Sequence, residues 1–455
     1  MRMASKNGLV NRGSCLRLVA LTRPKRSTLP SIVFVAPCAR EHFCRLKRPL
    51  PFAPTISPEK LVKTQDISKP ASKARDFISF LTAALWLLAR FWMQVSVHIR
   101  IVGVSGSERS RMEVRGLVIT CPRKVEEWTL SVPLAVSSEV GVRIELCGLC
   151  TPEQRVYRGA KPTYPYWGGH ELSGTIVSLP DDVPDGLRVG DRVAVLLMRR
   201  CGQCRACRLG LDNHCAYLNP KARGGVPQGP GGLANFVGVP AYQVFSVPSF
   251  LAPERAALVE PVACVARGIN RARAKAGDTV AVIGGGTMGL LHSILLTTKG
   301  CDVYLFDDDV ATHGPVMSTG AHATGSVHSL SDPKLVEKLT DGWGFDCIFC
   351  TRFGVRGIQG AIAAASRGAR IVLYQSIPTS DLLSVGPNFL HYREIELIGT
   401  IAQSADDVRN AIRTIVEHAA RFDVLQVNLW PSSNAQEAFE QALDPRVNRV
   451  MLDFR

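Results

Sequence analysis

The first 40 residues contain no aspartate or glutamate, and that absence explains most of the charge on the chain. The 455 residues carry a net charge of +15, a value that alone would invite a nucleic-acid partner. Yet residues 1–111 hold twenty Lys and Arg against five Asp and Glu, which accounts for the whole excess. The remaining residues sum to zero, so no nucleic-acid partner is expected for them. Long apolar runs are scarce as well. The run 77–89 falls short of the ~20 residues that cross a bilayer. Extending it to 99 would bury Arg90, Gln94 and His98, so a membrane anchor is not expected. Residues 1–111 are read as a basic extension outside the folded core. Their first 40 residues resemble an organelle transit peptide, and Met112 is a plausible start of the core. No internal repeat is visible. At 46% hydrophobic and 20% charged, the composition is that of an ordinary globular protein.

Fourteen cysteines are present, four of them in one short run, Cys201-x2-Cys204-x2-Cys207-x7-Cys215. Four thiolates at this spacing can surround one tetrahedral Zn²⁺, closed to water and therefore structural. An iron–sulfur site uses similar spacings, but no second cysteine cluster and no proline after the last cysteine accompany this run. Thiolates of this kind suit a reducing compartment such as the cytoplasm, with an organelle as the alternative. Cys301, Cys347 and Cys350 lie in or beside apolar runs and read as buried thiols.

The pattern along the chain changes once. From 112 to about 258 it is short strands and turns, including RVGDRVAVL and ANFVGVPAYQVFSVP. From about 260 to 399 it is strand, glycine loop, helix, strand. TVAVIG, DVYLFD, FDCIFCT and ARIVLYQ are mostly apolar, as strands of a parallel sheet covered on both faces should be. The tail, 400–455, returns to two helices and a last strand, RVMLDF.

TVAVIGGGTMG places Gly284, Gly286 and Gly289 after a strand and at the head of a helix. Gly284 permits the tight turn, Gly286 lets a pyrophosphate approach the backbone, and Gly289 lets helix and strand pack closely. Thr287 and Met288 count with them as cofactor-binding candidates. Asp307 ends the next strand, where a carboxylate can accept the adenosine ribose hydroxyls. A 2′-phosphate would meet Asp307, Asp308 and Asp309 with no basic residue nearby in sequence, which predicts NAD over NADP.

Two further fragments are ambiguous on their own. ELCGLCTPEQ offers Cys147 and Cys150, and YWGGHELSG offers His170 and Glu171; each has a bland reading as a buried thiol or core histidine. Their order with the other motifs is less so. From 112 to 455 the chain resembles the zinc-containing medium-chain dehydrogenase/reductase family of alcohol, polyol and threonine dehydrogenases. That resemblance implies an α/β fold, with a Rossmann doubly wound parallel sheet domain (261–399) inserted in a β-rich GroES-like catalytic domain (112–260 and 400–455) carrying the structural zinc lobe (201–215). It implies two Zn²⁺ per chain and NAD. Cys150, His170 and Glu260 would be catalytic zinc ligands, with Cys264 as the alternative to Glu260. Glu171 would orient the site or serve as an exchangeable ligand. A zinc with one open position lowers the pKa of a substrate hydroxyl, and the nicotinamide takes the hydride.

The expected activity is reversible oxidation of a secondary alcohol or polyol. The alternatives are a threonine dehydrogenase-like or carbonyl reductase activity, or zinc and nucleotide binding without turnover. The sequence departs from the family at Pro152, where a proton-relaying hydroxyl is usual; Thr151 is the neighbour that could replace it. The acid that follows is Glu153 rather than Asp. Arg449 stands where members often carry a base near the cofactor phosphates. Tyr157, Tyr164, Tyr166 and Trp167 are read as lining a substrate cleft or packing the barrel. The segment 390–400 is expected to end in a strand at the sheet edge, which in this family mediates homodimer or homotetramer contacts.

Overall fold

The computed structural model describes residues 110–455 apart from 135–137, 184–185, 198–199, 218–225 and 310–312. The apolar run 77–99 and nearly all of the basic extension lie outside the described residues. Among the described residues no helix is long and apolar enough to cross a membrane.

Strands β1 (Ser110–Cys121) and β2 (Lys124–Leu134) form an antiparallel hairpin. The main antiparallel sheet is built from β3 (Val140–Gly148), β4 (Glu171–Ser178), β5 (Arg192–Val195), β6 (Phe236–Val239) and β7 (Val244–Ser246). Apart from Arg143 and Glu145, β3 is built of apolar or small residues, and eight of its nine residues are buried because sheet partners and core cover both its faces.

The glycine-loop segment opens the second sheet. β8 (Thr279–Ile283), β9 (Asp302–Phe306), β10 (His322–Gly325), β11 (Phe345–Cys350), β12 (Ala365–Leu373) and β13 (Glu396–Gly399) lie parallel in the order β10-β9-β8-β11-β12-β13. The order reverses between β8 and β11, the point where doubly wound sheets bind ligands beyond their strand ends. The fold is thus the expected one: a Rossmann sheet combined with a GroES-like β domain. Two details differ from the sequence reading. β10 (HATG) was not anticipated, because its residues are polar or small and only partly buried. The segment 390–400 is only half strand: Pro387–Arg393 is a helix, with Pro387 in the first turn where a missing N–H costs nothing. β13 then forms the sheet edge, as expected.

The chain returns to the first sheet through β14 (Val427–Pro431) and β15 (Arg449–Asp453). β15 pairs antiparallel with β3, Leu452 opposite Cys147. Cys301, Cys347 and Cys350 are buried, as expected.

The helix Thr287–Thr298 packs so tightly on the sheet that His292 has no exposed surface. Its Nδ1 pairs with the Met288 carbonyl at 2.7 Å, while Nε2 has no partner. Phe349 and Tyr374 lie against the ring. Burial pushes its pKa down to about 4. The unfolded chain takes up this proton near pH 6.5, the folded protein only near 4, so stability falls as pH drops through that window. The loss is about 3 kcal/mol. His292→Leu is expected to flatten that decline in urea melts at pH 7 and pH 4.5; an unchanged difference between the two would show that His292 is not its source.

Candidate catalytic metal and nucleotide site

The antiparallel register of β3 and β4 sets Gly148 opposite Glu171 and Cys147 opposite Leu172. Cys150 lies just past the end of β3 and His170 just before β4, so the two sequence fragments meet at one end of the sheet. Cys150, His170 and Glu171 each bring one ligand atom within 4.8 Å of the others. Gly148 makes room for this, since a Cβ there would fall on the Glu171 carboxylate.

Glu153 is fully buried, and its Oε1 accepts from the Gly169 N–H at 3.0 Å and pairs with His170 Nδ1 at 3.2 Å. Burial alone would raise its pKa, but His170 and the Gly169 N–H hold it below its ordinary value. Burial likewise opposes charge on His170, yet Glu153 and Cys150 together raise its pKa. With Nδ1 engaged, Nε2 is the nitrogen left for a cation, the arrangement that orients metal-ligating histidines. Burial, and after it Glu171, pushes the Cys150 thiol up to about 11.

Pro152 has a structural reason. It sits in the first turn of the helix Thr151–Tyr157, with Cys150 as the N-cap residue. Thr151 is exposed at the head of that helix.

Arg449 was expected near cofactor phosphates. It is buried, with Nη1 3.0 Å from the Glu171 carboxylate, and its Nη2 lies 4.0 Å from Met288 Sδ on the glycine-loop helix. It therefore neutralises Glu171 while touching the nucleotide loop. Glu260, near the start of the helix Val259–Arg271, is not one of the three clustered donors, though it is buried beside them. Burial raises its pKa, against the pull of His170 and with a push from Glu171. The Cys264 thiol lies 3.4 Å from Glu260 Oε1. Among the described residues no basic nitrogen forms an ion pair with Glu260.

Thiol, imidazole and carboxylate are the donors zinc takes. Four acidic groups, Cys150, Glu153, Glu171 and Glu260, share this pocket with the permanent cation Arg449, so a dication would offset much of their negative charge. The residues fit the metal.

Cys201, Cys204, Cys207 and Cys215 converge separately, their sulfurs within 4.8 Å of one another and none in a disulfide. Backbone N–H groups point at the sulfurs, Cys204 N to Cys201 Sγ at 3.2 Å and Cys201 N to Cys215 Sγ at 3.3 Å. Backbone donors of this kind lower the Cys204 thiol to about 6. Burial and the neighbouring cysteines push Cys207 the other way, to about 12, but four sulfurs gathered in this way also fit zinc.

At the nucleotide loop, Gly284 has φ +111° and a Cβ there would strike Thr351 and Arg352. Gly286 caps the helix Thr287–Thr298 and faces open space, the room a pyrophosphate requires. The Thr287 hydroxyl donates to the Asn448 carbonyl, so it braces the loop against the strand that carries Arg449. A Cβ on Gly289 would overlap the Gly284 carbonyl oxygen. Gly289→Ala is therefore expected to prise helix from strand, costing about 1–3 kcal/mol of stability. Nucleotide affinity should weaken at least about tenfold. NADH fluorescence titration with a thermal melt checks this, and wild-type affinity would refute the packing argument. Asp307 is buried; it accepts from the Gly285 N–H at 2.6 Å and the Asp309 N–H at 2.8 Å. Two arginines invisible as neighbours in sequence stand beside the acids: Arg352 is 3.4 Å from Asp307 and Arg356 is 2.6 Å from Asp308.

The aromatics divide. Tyr157 and Trp167 are core residues, Tyr157 packing on Phe439 and Trp167 donating to the Leu233 carbonyl. Tyr164 donates to the Val156 carbonyl. Tyr166 instead feels the charges of Glu153, His170 and Cys150, behind burial as the main reason for its raised pKa. Tyr374, overlooked in the sequence because it simply ends an apolar strand, is raised by burial first and then by Cys264 and Glu260.

Residues 136–249 match the alcohol dehydrogenase GroES-like domain. The D-arabitol-phosphate dehydrogenase of Enterococcus avium is 26% identical over 330 residues, 71% of this chain and 92% of that protein. The sorbitol dehydrogenase of Bacillus subtilis is 25% identical over 340 residues, 72% of this chain and 94% of its own. These matches bear out the expected resemblance to the zinc-containing medium-chain dehydrogenase/reductase family. Among solved structures, galactitol-1-phosphate dehydrogenase from Escherichia coli has a similar fold, with a TM-score of 0.67 at 24% identity, covering 75% of this chain and all of that one.

Proposed function

We propose that the chain reversibly oxidises a secondary alcohol, of polyol type, to a carbonyl with NAD as hydride acceptor. The observation that carries this is the convergence of Cys150, His170 and Glu171 at one end of β3 and β4, beside a glycine loop with open space at Gly286. The polyol dehydrogenases among the relatives support the substrate class.

Cys150, His170 and Glu260 would hold a catalytic zinc. Glu171 is the less suited carboxylate, because Arg449 already occupies it at 3.0 Å, whereas the Glu260 carboxylate has no cation partner among the described residues. Zinc there would supply Lewis acidity to the substrate hydroxyl, and NAD would accept the hydride. Glu153 holds the imidazole in register. Arg449 holds the Glu171 carboxylate in place through their 3.0 Å ion pair. A second zinc in the four-cysteine lobe holds structure only, and a homodimer or homotetramer joined through the β13 edge accompanies this reading.

The Thr151 hydroxyl takes the place of the one absent at Pro152 and hands the proton to water. Thr151→Val should lower turnover about tenfold or more and shift its pH profile, the size expected of a positioned proton-transfer group. An unchanged rate and profile would remove Thr151 from the mechanism. A panel of polyols, simple alcohols and threonine with NAD and NADP, alongside zinc quantification, tests the whole reading. Two zinc ions per chain and polyol turnover are expected. One zinc and no turnover on any alcohol would favour a binding protein, the reading that Pro152 keeps open.

A further inference from the structure

The Cys264 thiol has one proton and two acceptors, Glu260 Oε1 at 3.4 Å and Gln403 Oε1 at 3.3 Å. Gln403 has no exposed surface, yet its amide Nε2 has no partner. The conflict at the thiol disappears, and the amide N–H group gains an acceptor, if the amide is turned by 180°, an orientation that heavy-atom positions do not distinguish. Nε2 then donates to Cys264 Sγ, and the thiol gives its proton to Glu260. We propose that Gln403 and Cys264 form this directed hydrogen-bond relay, as positioning residues that fix one oxygen of Glu260 and leave the other for the metal. The proposal rests on the reading of Glu260 as a ligand.

The relay has a fixed origin. The Gln403 carbonyl accepts from Arg200 Nη2, and Arg200 Nε lies 2.6 Å from Asp212. The Asn213 side chain donates to the Ile401 carbonyl at 3.0 Å, and the Ala405 N–H donates to Asp212 at 3.3 Å. Arg200 immediately precedes Cys201, and Asp212 and Asn213 lie just before Cys215. The cysteine lobe therefore sets the backbone at Gln403 from one side. From the other, Ser404 begins the helix Ala405–Glu417 with a capping box to Asp407. Held at both neighbours, Gln403 can place Cys264, and Cys264, one turn along the helix Val259–Arg271, places Glu260. The lobe thus acts on the catalytic site without touching it, and Cys264 is a hydrogen-bonding partner of a ligand instead of a ligand itself.

The test uses the full chain loaded with Co²⁺ in place of Zn²⁺, with affinity read by chelator competition and ligation by the visible spectrum. Cys264→Ala and Gln403→Met should each weaken Co²⁺ at the catalytic site about tenfold to a hundredfold, the cost of losing a partner of a metal ligand. The lobe metal should stay bound, which also reports that the variants are folded. The double variant should be no weaker than the worse single one, because the two residues act in series. Cys264→Ser, which keeps a donor and an acceptor, should bind like the natural protein. Unchanged affinity in both Cys264→Ala and Gln403→Met would overturn the relay while leaving Glu260 as ligand. Loss of a thiolate-to-cobalt band in Cys264→Ala would overturn it by making Cys264 the ligand. Glu260→Gln separates the underlying reading: full retention of both metals would refute Glu260 as ligand, and the relay with it.

Discussion

Cys150→Ala is expected to lower kcat/KM by about a thousandfold or more while leaving the protein folded. A zinc acting on the substrate oxygen contributes several kcal/mol to the transition state, and about 4 kcal/mol corresponds to a factor near a thousand. The substitution should be mild for stability, for a reason specific to this site. Cys150 is the N-cap residue of the helix Thr151–Tyr157, but its side chain makes no capping bond. Nothing that holds the helix is lost when the sulfur goes. What is lost is the thiolate member of the cluster with His170 and Glu171. Zinc per chain should fall from two to one, with the lobe still loaded and the melting temperature changed by a few degrees at most. Kinetics, metal analysis and a thermal melt on the same preparation check all three. Retention of two zinc ions with wild-type rates would remove Cys150 from the site.

The sequence made the local motifs legible and left their assembly hidden. The four-cysteine run is readable because all its ligands lie within one loop. The glycine loop is readable because its steric demands are local: the overlap a Cβ on Gly289 would make is with Gly284, five residues away. The catalytic cluster depends on the β3–β4 register and on β15 arriving beside β3, and no spacing rule encodes that. Arg449 shows the consequence. Its place near the C-terminus suggested a base near the cofactor phosphates; its pairing with Glu171 comes from strand order. Gln403 carries no motif at all, and its place beside Cys264 follows from how the cysteine lobe meets the start of the helix Ala405–Glu417. β10 was missed for a different reason: HATG is neither apolar nor alternating, and it is a strand because β9 offers it an open edge.

Cofactor choice should turn on one carboxylate. Asp308 and Asp309 were expected to join Asp307 in repelling a 2′-phosphate. Asp308 is instead paired with Arg356 at 2.6 Å, and Arg446 acts on Asp309. Asp307 differs: it is buried, and Arg352 approaches it only to 3.4 Å. On the proposed reading it is the acid that would hold the adenosine ribose hydroxyls, and its charge is the one a 2′-phosphate would meet. Asp307→Ser should therefore move the enzyme from NAD toward NADP. Losing charged hydrogen bonds to the ribose costs NAD about 2 kcal/mol. Removing a like charge a few Å from the phosphate, with Arg352 and Arg356 already in place, favours NADP by about as much. Together the ratio of kcat/KM for NADP over NAD should rise about a thousandfold. Asp307 also holds the Gly285 and Asp309 N–H groups, so serine will loosen the loop. Asp307→Asn separates the two effects, since its amide oxygen keeps an acceptor for the loop while the charge is gone. NADP should gain in both variants, and NAD should lose less in Asn than in Ser. If NADP gains in neither, the arginines do not reach the phosphate and selectivity lies elsewhere. If the natural protein already prefers NADP, Arg352 and Arg356 outweigh Asp307, and the acidic run does not set the preference.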